Sequence, residues 1–230
     1  MHQPWNELLQ QYVDDRGLVD YRGIKRSPSK LTNWLQELAT IDPKSLDRQQ
    51  QMALWLNLYN ALVIEQVIDK YPIESILPKL LGIPNWLAFW RFFTRRVYRL
   101  NGDRYSLNNI EHDILRPKFE DPRIHFALVC GAIGCPLLRN EAYQGDRLEA
   151  QLESDARRFI NNPDKVKYDA EQSMLYCSQI FKWYRQDFLK VAPSLTEYIQ
   201  IYLDRELNHD RSLTIKYLDY DWHLNQRMSS

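Results

Sequence analysis

Residues 121–139 read DPRIHFALVCGAIGCPLLR. An apolar, β-branched run at 124–129 carries His125 near its start and delivers Cys130 into a Gly/Ala loop that closes on Cys135 and Pro136. Taken as a central strand, this run makes the protein more than a helical bundle. A strand ending in glycine-rich backbone with a thiol at its tip is a common way to present a nucleophile or a ligand. Cysteine is also among the most buried residue types and often acts only as a small hydrophobe. Two cysteines flanking GAIG, with His112 and His125 upstream, bring the two readings level.

Moving upstream, Ser106 is placed to cap a short helix, LNNIEHDILR, which Pro117 should halt. Before it, RVYRL and RYSL flank Asn101-Gly102-Asp103, a strong hairpin signal. Residues 77–96, LPKLLGIPNWLAFWRFFTRR, crowd Trp86, Phe89, Trp90, Phe92 and Phe93 beside Arg91, Arg95 and Arg96. The stretch fits a lid, a partner-docking helix, a membrane-surface helix or a helix packed on the core. Asp47 is a natural N-cap for a helix over 48–70, ended by Tyr71-Pro72 and apolar almost all round, hence central and buried. Asn57 and Asn60 share one face of it. Buried amides must find partners, either by tying down neighbouring loops or by orienting a catalytic group. Further helices are expected over 5–13 and 29–39, with a turn at Asp15-Arg16-Gly17 and an extended LVDY between them.

Downstream, Asp146 with Glu149 opens a helix to residue 160, and KVKYDAEQSMLYC forms a second hairpin. A helix over IFKWYRQDFLK, one capped by Ser194 with Glu197, and a last strand in LTIKYLDYDWHLN complete the chain. This order predicts a helix-rich α+β fold with a small, largely antiparallel sheet, in one domain spanning 1–230.

Lys plus Arg equals Asp plus Glu at 30 each, which argues against a general nucleic-acid binder. Seven Trp and fourteen Tyr suit a core with amphipathic edges and an interface. Three cysteines, an odd number, do not suggest a secreted disulfide framework. MHQPWNELLQQYVDD lacks the basic and apolar regions of a secretory leader, and no apolar stretch approaches the roughly 18–20 residues that span a bilayer. The expected location is the cytoplasm.

The segments YVDDRGLVDY, LWLNLYNALVI followed by YP, SLNNIEHDILR, DPRIHFALVCGAIGCPLLRNEAY, FKWYRQDF and YLDYDWHLN, in that order, resemble the DUF547 family of bacteria, plants and animals. The family carries no established chemistry. The resemblance stresses Asn57, Asn60, Glu111, His112, Arg116, His125, Cys130 and Pro136, and Cys135 matches its bacterial-type members.

Several chemistries fit these residues. A nucleophilic Cys130 needs a base within about 3 Å. On one strand His125 would stand roughly 16 Å away and on the opposite face. His112, on the preceding helix, is the better base, and Asn57 or Asn60 would orient it in a Cys-His-Asn set. Glu111 points about 100° away from its neighbour and cannot. The N–H groups of residues 131–134 would form an oxyanion hole. This predicts a cysteine-dependent hydrolase or acyl-transferase acting on a small molecule or peptide, with Glu111, Arg116, His125, Cys135, Trp86 and Trp90 as binding residues. No cofactor is required. Zinc on Cys130, Cys135 and a histidine, or a Cys130–Cys135 redox pair, are weaker alternatives because C-x4-C is a loose spacing. A non-catalytic module is the competing class: the polar residues fix the loop, and the aromatic/basic segment docks a protein or membrane surface. Arg116 and Arg123 would then pair with Glu111, Asp113 or Asp121. Cys177 should pack, and His2, His209 and His223 take no role.

Overall fold

One long helix organises the protein, and its ends are written locally. In the computed structural model, which describes residues 1–95, 98–207 and 213–227, α4 spans Arg48–Lys70. The Asp47 carboxylate accepts from the Gln50 N–H while the Gln50 side chain accepts from the Asp47 N–H, a reciprocal cap. Residues 52–64 are all buried, as expected of a helix with no polar face. Around it pack α1 (Gln3–Tyr12), α2 (Tyr21–Arg26) and α3 (Ser29–Leu38). The extended LVDY is only partly so: Val19 makes isolated bridges, then Asp20 accepts from the Gly23 N–H and starts α2.

Four short strands and one helix follow: β1 (Lys79–Leu80), β2 (Ile83–Pro84), α5 (Trp86–Thr94), β3 (Tyr98–Leu100) and β4 (Asp103–Tyr105). The hairpin at Asn101-Gly102 forms as expected, both residues taking positive φ. The IEH segment is a π-helix, Asn109–Leu115, running straight into α6, Arg116–Phe119. Pro117 therefore does not halt the chain. The change of winding puts it in the first turn of α6, where a missing N–H and a fixed φ are tolerated.

The largest departure is at 124–129. Instead of a strand, Ile124–Ala127 forms a helical turn, α7. Asp121 accepts from the Arg123 N–H and Pro122 presets the first turn. The extended residues after it join no sheet. Asn60 takes the place of a neighbouring strand, donating to the Ala127 carbonyl at 3.0 Å and accepting from the Val129 N–H at 3.0 Å.

The last third holds α8 (Leu148–Ile160), β5 (Val166–Asp169), β6 (Met174–Cys177), α9 (Gln179–Trp183), α10 (Arg185–Phe188), α11 (Leu195–Tyr202) and β7 (Thr214–Tyr217). Ser194 caps α11 as expected, whereas Asp146 caps nothing and a 3-10 turn leads into α8. β5 and β6 are antiparallel, but β7 lies parallel to β6. The fold is thus helix-rich α+β, its strands divided among three small sheets. Two hydrophobic clusters form, one around α4 and one around α8 and β5–β7. α7 joins them: Ile124 and Ala127 belong to the first and Phe126 to the second. Among the described residues no helix is long and apolar enough to cross a membrane. Arg96 and His209 lie outside those residues.

Candidate active site at the seam of the two clusters

A cavity of about 510 Å³ opens where the clusters meet. The π-helix and α6 supply Glu111, His112 and Arg116, while α7 and the loop after it supply His125, Cys130 and Cys135. Trp86 and Trp90 from α5 line it too. Eight of the ten residues expected from the sequence thus meet in one place.

Asn57 and Asn60 do not. Asn57 accepts from the Tyr143 N–H at 2.9 Å and from Trp5 Nε1 at 3.2 Å, and donates to the Tyr143 carbonyl at 2.8 Å. Asn60 is spent on Ala127 and Val129. Both tie loops to α4, and neither bonds to His112, so the orienting role assigned to them falls away.

Cys130 and Cys135 are joined as a disulfide, the pair that the weaker redox alternative named. Cys130 is half-buried on the cavity wall and Cys135 is buried. The Tyr220 hydroxyl donates to Cys135 Sγ at 3.1 Å and lies 3.5 Å from Cys130 Sγ. No hydrogen bond joins either sulfur to His112 or to His125. The loop amides are engaged as well: Ile133 N–H donates to the His223 carbonyl and Gly134 N–H to that of Asp221. Those two cannot serve an oxyanion hole. Cys177 packs as expected, and burial pushes its thiol up to about 12.

The two imidazoles are held in opposite senses. Arg116 Nη1 sits 2.8 Å from His112 Nδ1. A guanidinium only donates, so Nδ1 keeps its lone pair and neutral His112 carries its proton on Nε2, 3.9 Å from Glu111 Oε1. As held, His112 offers the cavity an N–H and no base. The two neighbours that were expected to point apart lie close together in the π-wound turn.

His125 Nε2 lies 2.8 Å from Asp187 Oδ2. Arg116 grips the same carboxylate, Nε at 2.6 Å and Nη2 at 3.2 Å, rather than Glu111 or Asp113. Burial would raise the Asp187 carboxyl, but the His125 and Arg116 hydrogen bonds outweigh it and hold the group well below the usual carboxylate range. Burial drives His125 below its ordinary value, against the pull of Asp187. The result is a neutral imidazole with its proton on Nε2 and its lone pair on Nδ1, stacked on Tyr184 with ring centroids 3.8 Å apart. Arg123 pairs with Asp121, as expected, and with Glu149.

Glu111 is 7 % exposed. Its Oε2 is 3.5 Å from the Tyr59 hydroxyl, and Oε1 has no hydrogen-bond partner. Burial first, and then Glu111, raises Tyr59, Tyr184 and Tyr220, so their hydroxyls stay protonated donors. Among the described residues no group of three or more His, Cys, Asp and Glu side chains is arranged to hold a metal ion.

Sequence reasoning missed Asp187, Tyr184, Tyr220 and Tyr59. The first three lie in FKWYRQDF and YLDYDWHLN, segments noted for kinship, but their late positions gave no sign that they reach the cysteine loop. A family model described as "Protein of unknown function, DUF547" matches residues 43–160, just over half of the 230-residue chain. No curated protein and no solved structure matches it. Asp187, Tyr184 and Tyr220 all lie beyond the matched residues.

Proposed function

The chain belongs to the DUF547 family, and we propose that its cavity is a thiol-dependent active site, that of a cysteine-dependent hydrolase or acyl-transferase. Reduced Cys130 is the nucleophile, His125 its base and Asp187 the group that orients the base. One observation carries this reading: an imidazole with its tautomer set by a carboxylate shares a cavity wall with a half-buried cysteine. The helical turn at α7 shortens the roughly 16 Å that a strand would have imposed between them, and both line the same cavity.

The chemistry starts with the disulfide. A reductant of the thiol class reduces Cys130–Cys135 and is itself oxidised to its disulfide. His125 Nδ1 then takes the Cys130 proton and the thiolate attacks the acyl carbon. The Tyr220 hydroxyl, already beside the sulfur, donates to the developing oxyanion. Collapse expels the leaving group, which takes the proton from His125. Water or another acceptor, deprotonated by His125, then attacks the thioester and restores the thiol. Arg116 acts through Asp187 and is a positioning residue. A reducing cytoplasm would keep such a site active.

The test is p-nitrophenyl ester turnover and iodoacetamide labelling of reduced protein, comparing wild type with Cys130→Ala and His125→Ala. Both variants should lose turnover, by on the order of 100-fold or more for His125→Ala. Labelling or turnover that survives Cys130→Ala, or is indifferent to His125→Ala, overturns the reading.

A further inference from the structure

The most anomalous surface of the protein lies between residues 80 and 90. Leu80, Leu81, Ile83, Trp86, Leu87 and Trp90 are each more than half exposed, and Leu81, at the tip of the β1–β2 hairpin, is 96 % exposed. α5 turns Phe92 inward, with Phe89 and Phe93 packed against the α4 cluster, and so leaves Trp86, Leu87 and Trp90 on its outer face. Leu81 adopts φ 52°, a left-handed conformation that asparagine or glycine would hold more easily. A leucine that is costly to the turn and solvated almost completely needs a partner outside the chain.

Charge says which partner. Residues 77–95 contain Lys79, Arg91 and Arg95 and no acidic residue, although the whole chain is neutral. No ion pair among the described residues engages any of the three. A second copy docking by a two-fold axis would bring these cations against their own images. An anionic bilayer accepts both features, the leucines and tryptophans entering the headgroup boundary and the cations meeting acidic lipid. We infer that the hairpin and the outer face of α5 dock the protein peripherally on anionic membranes. Trp86 and Trp90 also line the cavity, so the docked face is continuous with its mouth.

The experiment is vesicle flotation of the full chain, using phosphatidylcholine vesicles with and without phosphatidylserine. Wild type should float only with phosphatidylserine and be released by salt. Leu81→Asp keeps a residue that tolerates the turn, and it should weaken partitioning roughly tenfold or more. Each of Lys79→Gln, Arg91→Gln and Arg95→Gln should weaken it about fivefold. Circular dichroism verifies that each variant is folded. Absence of wild-type flotation with phosphatidylserine, equal binding to neutral vesicles, or undiminished binding by Leu81→Asp overturns the inference. So does light scattering that finds a wild-type dimer and a Leu81→Asp monomer. Cys130→Ala should float like wild type, which separates this surface from the thiol chemistry.

Discussion

Asp187 holds His125 through Oδ2, and Arg116 donates to both oxygens of that carboxylate, its shorter bond to the same Oδ2. Replacing the carboxylate by an amide keeps the size but removes the charge and allows an N–H to face Nε2. Asp187→Asn should therefore lower ester turnover of the reduced protein by about 100- to 10,000-fold, in a protein that still folds. Stopped-flow turnover beside an unchanged circular dichroism spectrum would verify it. The pH profile gives a second prediction. The base must be neutral, and burial sets His125 below its ordinary 6.5. The acid limb of kcat/KM should fall below that value, with full activity at neutral pH. An acid limb above it would assign the titration to another group. At this scale the sequence was half readable. Cys130, His125, Glu111 and Arg116 stand out by type and setting, yet the choice between His112 and His125 was made on strand geometry. A strand sets His125 and the thiol far apart on opposite faces, whereas the helical turn leaves both lining one cavity. The fixing carboxylate, 62 residues further on, had no local mark.

At the scale of elements, α4 is legible to the residue because its capping box, apolar length and terminal Tyr71-Pro72 all agree. The two hairpins and the Ser194 cap are legible for the same reason: a short-range signal and the tertiary structure point one way. Residues 124–129 are not, since periodicity does not separate a short apolar strand from a buried helical turn. What decides the matter is Asn60, a residue on another element. Its side chain satisfies the Ala127 carbonyl and the Val129 N–H, so the segment needs no strand beside it. Removing it orphans two buried backbone groups. Asn60→Ala should destabilise the protein by roughly 2–4 kcal/mol. Urea denaturation measures the loss, and a change below about 0.5 kcal/mol would mean that other groups can serve the segment. The π-helix escaped for a related reason. LNNIEHDILR has ordinary helical periodicity, which does not separate α from π winding; the wider turn shows in the backbone, where the Arg116 N–H donates to the Glu111 carbonyl.

Across the whole molecule, the C-terminal tail fastens distant parts of the chain to one another. Leu224 N–H donates to the Glu74 carbonyl, Asn225 N–H to that of Gly131, and Arg227 N–H to that of Val19. Three distant parts of the chain are thus tied to one tail segment, and Tyr220, just before it, reaches the disulfide. The polar frame behind that cavity makes stability depend on pH. His125 titrates below its ordinary 6.5 when folded, so just under that pH the unfolded chain binds more protons, and stability rises with pH there. Asp187 titrates below its ordinary 3.8 when folded, so its contribution is present above that value and lost as the pH falls through the folded one. His2, which burial lowers to about 4, acts with the same sign as His125. The urea midpoint should therefore decline from about pH 6.5 downward and steepen in stronger acid. Asp187→Asn should flatten the steep lower part. In the upper part His125→Gln and His2→Gln should each remove a share, because neither glutamine can take up a proton. A midpoint that stays level between about pH 7 and pH 5 would mean that the two imidazoles titrate alike in the folded and unfolded chains.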